Sequence, residues 1–162
     1  MLVNIIDKIR SHRIHYLGVG LALFALSSCG AFPKMIADIE TDVVSISAVS
    51  DANGGYPVAV DLVVLNDAAL VQAVQEMSAK NWFKGREQFI LDHREASTVI
   101  SREVVPGKTA PKIELKRSVR VNALSVFAFA NYINEGSHRL TLGSIEQPQI
   151  VLEKTTLRLA PK

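Results

Sequence analysis

The chain has 162 residues, 48% of them hydrophobic and 21% charged, with a formal net charge of +2 and one cysteine. A single thiol excludes an intrachain disulfide framework, so hydrophobic burial alone has to stabilise the core. The surplus positive charge comes from Lys8, Arg10 and Arg13 near the N-terminus; residues 29–162 hold fifteen basic and fifteen acidic side chains, a balance that excludes the electrostatic footprint of a nucleic-acid binder.

In chain order, the first fifteen residues are basic, with Asp7 the one acid, and an uncharged apolar stretch, Tyr16 to Leu26, follows. This is the order of a secretory signal, a positive segment ahead of a hydrophobic one. Eleven residues fall short of the roughly 20 that a spanning helix needs. The stretch ends in Leu26-Ser27-Ser28-Cys29, which resembles the bacterial lipobox. The resemblance implies cleavage before Cys29, a diacylglycerol thioether on its sulfur and an acyl group on the new amine. The other readings of this thiol are a buried free cysteine or half of an intermolecular disulfide. Residues 1–28 are thus expected to be a lipoprotein signal, 29–38 a lipidated tether and 39–162 a periplasmic domain. The covalent lipid on Cys29 is the one non-protein group expected. Gly30 follows Cys29 where Gram-negative lipoproteins retained in the inner membrane tend to carry Asp, which points to the outer membrane.

The segment Thr41 to Val49 alternates Val44, Ile46 and Ala48 with Ser45 and Ser47, the period of a half-buried strand. Ser50-Asp51-Ala52-Asn53-Gly54-Gly55-Tyr56 carries turn punctuation. Pro57 then opens a second strand to Leu65. The connection is longer than the 2–5 residues usual between paired strands. Asn66 or Asp67 is placed to cap a helix over residues 68–83, whose Leu70, Val71, Val74, Met77 and Trp82 form a core-facing stripe. Lys84-Gly85 reads as its stop, and residues 86–93 are ambiguous between helix and strand. Further strands are expected over 98–105, ended by Pro106-Gly107, over 112–116 as an edge, over 119–130, and over 139–142 and 149–159. The apolar run ending at Ala130 suits a strand covered on both faces. Six or seven short strands with one or two inserted helices predict an all-β fold, an antiparallel β-sandwich.

No nucleophile elbow, zinc-protease helix, phosphate loop or dinucleotide fingerprint occurs. Ser137 beside His138 sits on a turn, where neighbouring side chains rarely face each other. His93 and His138 lack the clustered partners of a metal site. Asp51-Ala-Asn53-Gly54 starts like a calcium loop but lacks its closing glutamate and reads as a turn. The chain is therefore expected not to be an enzyme, and a protein-binding surface is the remaining class of site.

Three stretches after Cys29 resemble the TssJ family, the outer-membrane lipoproteins of type VI secretion. Asp51-Ala-Asn53-Gly54-Gly55-Tyr56-Pro57-Val58 is similar to the family's loop into its second strand, Glu103-Val-Val-Pro106-Gly107 to its later turn, and Ala123 to Phe129 with the loop to His138-Arg139 to its apolar strand ahead of a Trp-Arg pair. The chain departs from the family at Asp61-Leu-Val-Val-Leu65, at residues 71–83 and at His138, where Trp is usual. The resemblance implies a transthyretin-like sandwich and a structural role: tethering the periplasmic C-terminal region of the inner-membrane protein TssM to the outer membrane. It also implies that the contact surface is Ser50, Asp51, Ala52, Asn53, Gly54, Gly55 and Tyr56, with Tyr56 as an aromatic anchor; an ordinary solvated turn is the other reading. Two further roles fit a lipoprotein of this size, a pilotin-like part of another envelope machine and a small anchored periplasmic enzyme or inhibitor.

Overall fold

The computed structural model describes residues 39–161; the expected signal and tether, Cys29 included, lie outside them. Among the described residues eight strands form two facing four-stranded sheets. They are β1 (Val43–Ala48), β2 (Val58–Leu65), β3 (Ser97–Val104), β4 (Ile113–Glu114), β5 (Ser125–Asn131), β6 (Arg139–Thr141), β7 (Gln149–Leu152) and β8 (Leu157–Leu159). Three helices interrupt them: α1 (Ala68–Gln75), α2 (Ala79–Asp92) and the single turn α3 (Arg117–Arg120). The sheets run β4-β1-β7-β8 and β3-β2-β5-β6, so the fold is an all-β sandwich with inserted helices.

The core between the sheets follows from the period-2 pattern. Val44 and Ile46 of β1 and Ile150 and Leu152 of β7 face Val60, Leu62 and Val64 of β2. On β5, Ala128 and Ala130 stand opposite Leu62 and Val60 in register, and their small side chains leave room for the facing sheet. The other face of β2 and β5 is also buried. There Val63, Leu65, Phe127 and Phe129 meet Val74 of α1 and Trp82 of α2, and Trp82 stacks on Phe129 with ring centroids 5.1 Å apart. The doubly covered strand and the core-facing Trp82 expected from the sequence are both present.

Some local expectations are corrected and others resolved. The helix expected over 68–83 breaks at Ser78, which caps α2 by accepting the backbone N–H of Asn81. Of the two candidate caps for α1, Asp67 fills the role by accepting the Leu70 N–H. Gly85 lies inside α2, which runs through the ambiguous segment to Asp92; its place there leaves open space where a Cβ would be. Residues 119–124 are not strand: α3 ends there and Asn122 takes φ 66°, so the alternation of Val119 and Val121 is incidental. The segment 149–159 divides into the β7–β8 hairpin. The sandwich is also not wholly antiparallel, since β7 runs parallel to β1, with Ile46 opposite Ile150.

Candidate functional site

Strand direction gathers four connections at one end of the sandwich. β1 and β7 are parallel and both end there. Val58, the start of β2, pairs with Val104, the end of β3, and Ala59 pairs with Asn131, the end of β5. The β1–β2 loop, the β3–β4 connection, the β5–β6 loop and the β7–β8 turn therefore lie together. The chain enters β1 at the opposite end, where the Glu40 N–H donates to the Gly143 carbonyl at 2.8 Å and Thr41 Oγ1 donates to the Leu142 carbonyl at 2.7 Å.

Within the β1–β2 loop, Ala52–Gly55 forms a kinked 3₁₀ turn. Asn53, Gly54 and Gly55 all take positive φ, at 50°, 66° and 89°, conformations open to glycine and tolerated by asparagine. The seven residues expected to form one contact surface separate into two groups. Ala52 and Asn53 are buried, whereas Ser50, Asp51, Gly54, Gly55 and Tyr56 are exposed. Asn53 is part of the scaffold: its Oδ1 accepts the Ile133 N–H at 2.8 Å and its Nδ2 donates to the Pro57 carbonyl at 3.3 Å. Ala52 and Asn53 therefore shape the loop and expose almost none of their own surface.

The neighbouring loops are tied to each other as well. Tyr132, buried on the inner side of the β5–β6 loop, donates its hydroxyl to the carbonyls of Glu153 and Thr156 in the β7–β8 turn. Burial pushes this phenol up to about 12. Asn134 Nδ2 donates to the Thr155 carbonyl at 3.0 Å. On this fixed platform stand Tyr56 and Ile133, 63% and 70% exposed, the most exposed large apolar side chains among the described residues. Both line a predominantly apolar groove of about 240 Å³ with Asn53, Gly54, Asn134, Lys154 and Thr155. Sequence reasoning missed Ile133 and Lys154. The one available signal was an aliphatic residue, Ile133, beside the polar turn Asn134-Glu-Gly-Ser137.

No protein-family model matches the chain, and no curated protein matches its sequence. Solved structures do match. The T6SS lipoprotein TssJ1 from Pseudomonas aeruginosa aligns with TM-score 0.57 and 13% identity, over 74% of this chain and 94% of that one. A chain of a type VI membrane complex gives 0.59 and 19%, over 76% and 99%. A chain from the structure of the T6SS protein TssM C-terminal domain (869–1107) from EAEC gives 0.55 and 17%, over 74% and 97%. The fold is TssJ-like.

In this TssJ-like sandwich His138, at the position where the family resemblance leads one to expect Trp, is buried and stacked on Tyr132 with centroids 4.7 Å apart. Its Nε2 donates to the Asn134 carbonyl at 3.0 Å, so that nitrogen is not free to take a proton from Ser137. A Cβ on Gly136 would lie 2.6 Å from the same Nε2, so only glycine fits there. His93 ends α2 with its ring against Phe89. Among the described residues no three His, Cys, Asp or Glu side chains come together as metal ligands. Asp51 lies 3.8 Å from Lys154 across the rim of the groove. The buried acid, Asp61, faces α2, where it accepts from Trp82 Nε1 at 2.9 Å and pairs with Arg86 at 3.0 Å; it holds a helix to the sheet.

Proposed function

We propose that this chain is an outer-membrane lipoprotein of the type VI secretion trans-envelope complex, anchored through acylated Cys29 and facing the periplasm, and that it tethers the periplasmic C-terminal region of TssM. The role is structural, not catalytic. The observation that carries it is the exposed, cross-tied loop end of a TssJ-like sandwich, which gathers the apolar surface a protein partner needs. The lipobox-like Leu26-Ser27-Ser28-Cys29 supplies the anchor. Each buried methylene of an acyl chain contributes about 0.8 kcal/mol, so several chains hold a protein at the membrane for long periods.

The placement of the chain's entry suits this role. The described chain begins at the end of the sandwich opposite the loops, where the Glu40 N–H donates to the Gly143 carbonyl. The test is co-purification from detergent-solubilised envelopes: TssM is expected to follow the tagged, acylated protein. Absence of TssM alongside a correctly folded and acylated protein overturns the reading.

A further inference from the structure

Resting on that reading, we propose that the partner is gripped in the groove between Tyr56 and Ile133, three loops acting together, and that its occupant is a TssM segment presenting one large apolar side chain beside a carboxylate. The volume decides the kind of occupant. About 240 Å³ is below the roughly 300 Å³ at which small-molecule sites begin, and it suits a single side chain, the form that interface hot spots take.

Charge decides what flanks it. Lys154 is the one charged side chain lining the groove. Its contact with Asp51 is long, at 3.8 Å, and both side chains are well exposed. An incoming carboxylate can replace that weak pairing without stripping a buried charge of its partner.

The groove is also formed in advance. The Asn53–Ile133 hydrogen bond sets the spacing of its two walls. The Tyr132 and Asn134 bonds to the β7–β8 turn fix the segment that bears Lys154. Little ordering remains to be done when the partner binds.

The test measures the affinity of the acylated protein, in detergent micelles, for the immobilised periplasmic C-terminal region of TssM. Ile133→Ser is expected to weaken binding at least tenfold, as is Tyr56→Ala. Lys154→Glu is expected to weaken it several-fold and to flatten or reverse its salt dependence. Leu91→Ser, on exposed α2 surface, leaves binding unchanged. All three groove side chains are exposed, and equal thermal midpoints verify that each variant folds. If Tyr56→Ala weakens binding while Ile133→Ser and Lys154→Glu bind as wild type, the three-loop groove is overturned and the tethering role stands. If the wild type does not bind, both are overturned. If Ile133→Ser instead dissolves a dimer of the wild type and leaves TssM affinity intact, the occupant is a second copy and the proposal is wrong.

Discussion

The side-chain carbonyl of Asn53 accepts the backbone N–H of Ile133, eighty residues further along the chain, at 2.8 Å. One buried amide thus joins the β1–β2 loop to the β5–β6 loop. It also lets the loop turn through a left-handed φ of 50°, which a residue with an ordinary Cβ adopts at a cost of about 1–2 kcal/mol. Asn53→Ala is expected to lose both effects and destabilise the domain by about 2–3 kcal/mol. Asn53→Gly keeps the backbone freedom and loses only the hydrogen bonds, so it is expected to cost about half as much. Urea midpoints of the two variants provide the comparison; equal losses would refute the backbone contribution.

Tyr132 gives the domain a sensitivity to alkali. Desolvation by burial raises its pKa to about 12 from the ordinary 10, and the nearby Glu153 charge adds to the rise, against the lowering by the Glu153 carbonyl bond. Between these two values the folded chain binds the extra proton, so stability falls as pH rises through that window and is untouched below it. Comparing urea midpoints of wild type and Tyr132→Phe checks this. The wild type is more stable at pH 8, and its advantage is expected to shrink from pH 10 upward.

The Asp61–Arg86 pair is asymmetric, and the asymmetry predicts an order. Asp61 has no exposed side-chain surface, while one third of the Arg86 side chain, 33%, reaches solvent. Asp61→Leu frees a guanidinium that can swing into water and leaves the Trp82 N–H without its acceptor. Arg86→Leu leaves a carboxylate buried with only that indole as donor, a loss of about 3–5 kcal/mol. Arg86→Leu is therefore expected to be the more destabilising change in equilibrium unfolding. The reverse order would mean that the indole alone satisfies the charge.

Anchoring is tested separately from partner binding. Cys29→Ser is expected to move the protein from the membrane pellet to the soluble periplasmic fraction. Gly30→Asp is expected to keep it acylated and shift it toward inner-membrane density on a sucrose gradient. A membrane-bound Cys29→Ser protein would contradict acylation at that sulfur.

Much of the sandwich was legible because burial writes a period into the chain. The half-buried β1 alternates, and the doubly covered β2 and β5 are apolar at nearly every interior position, Asp61 being the exception. Trp82 was assigned to the core from helical spacing alone. Breaks in pattern were harder to read. Ser78, followed by a short polar turn and then Trp82-Phe83, is a recognisable cap that an unbroken apolar stripe concealed. Gly85 stays helical because α2 packs on the sheet through Trp82 and Phe89 around it, and tertiary burial outweighs a propensity cost of about 1 kcal/mol. The parallel pairing of β1 with β7 joins residues about a hundred positions apart, and no local pattern encodes that. The same distance hid the groove. The loop at 50–56 was conspicuous by its length and glycines, but Ile133 and Lys154 acquire their place only when strand direction brings three loops to one end. The burial of Asn53 likewise depends on a partner eighty residues away.

In the proposed tethering role, the domain meets its partner through the end that bears Tyr56 and Ile133. The most direct measurement places a photo-crosslinking amino acid at Tyr56, at Ile133 and, on the side of the domain, at Leu91, in cells assembling the complex. Crosslinks to TssM from positions 56 and 133 and none from 91 are the predicted result. Crosslinks from 91 alone, with all three proteins folded and acylated, would contradict it.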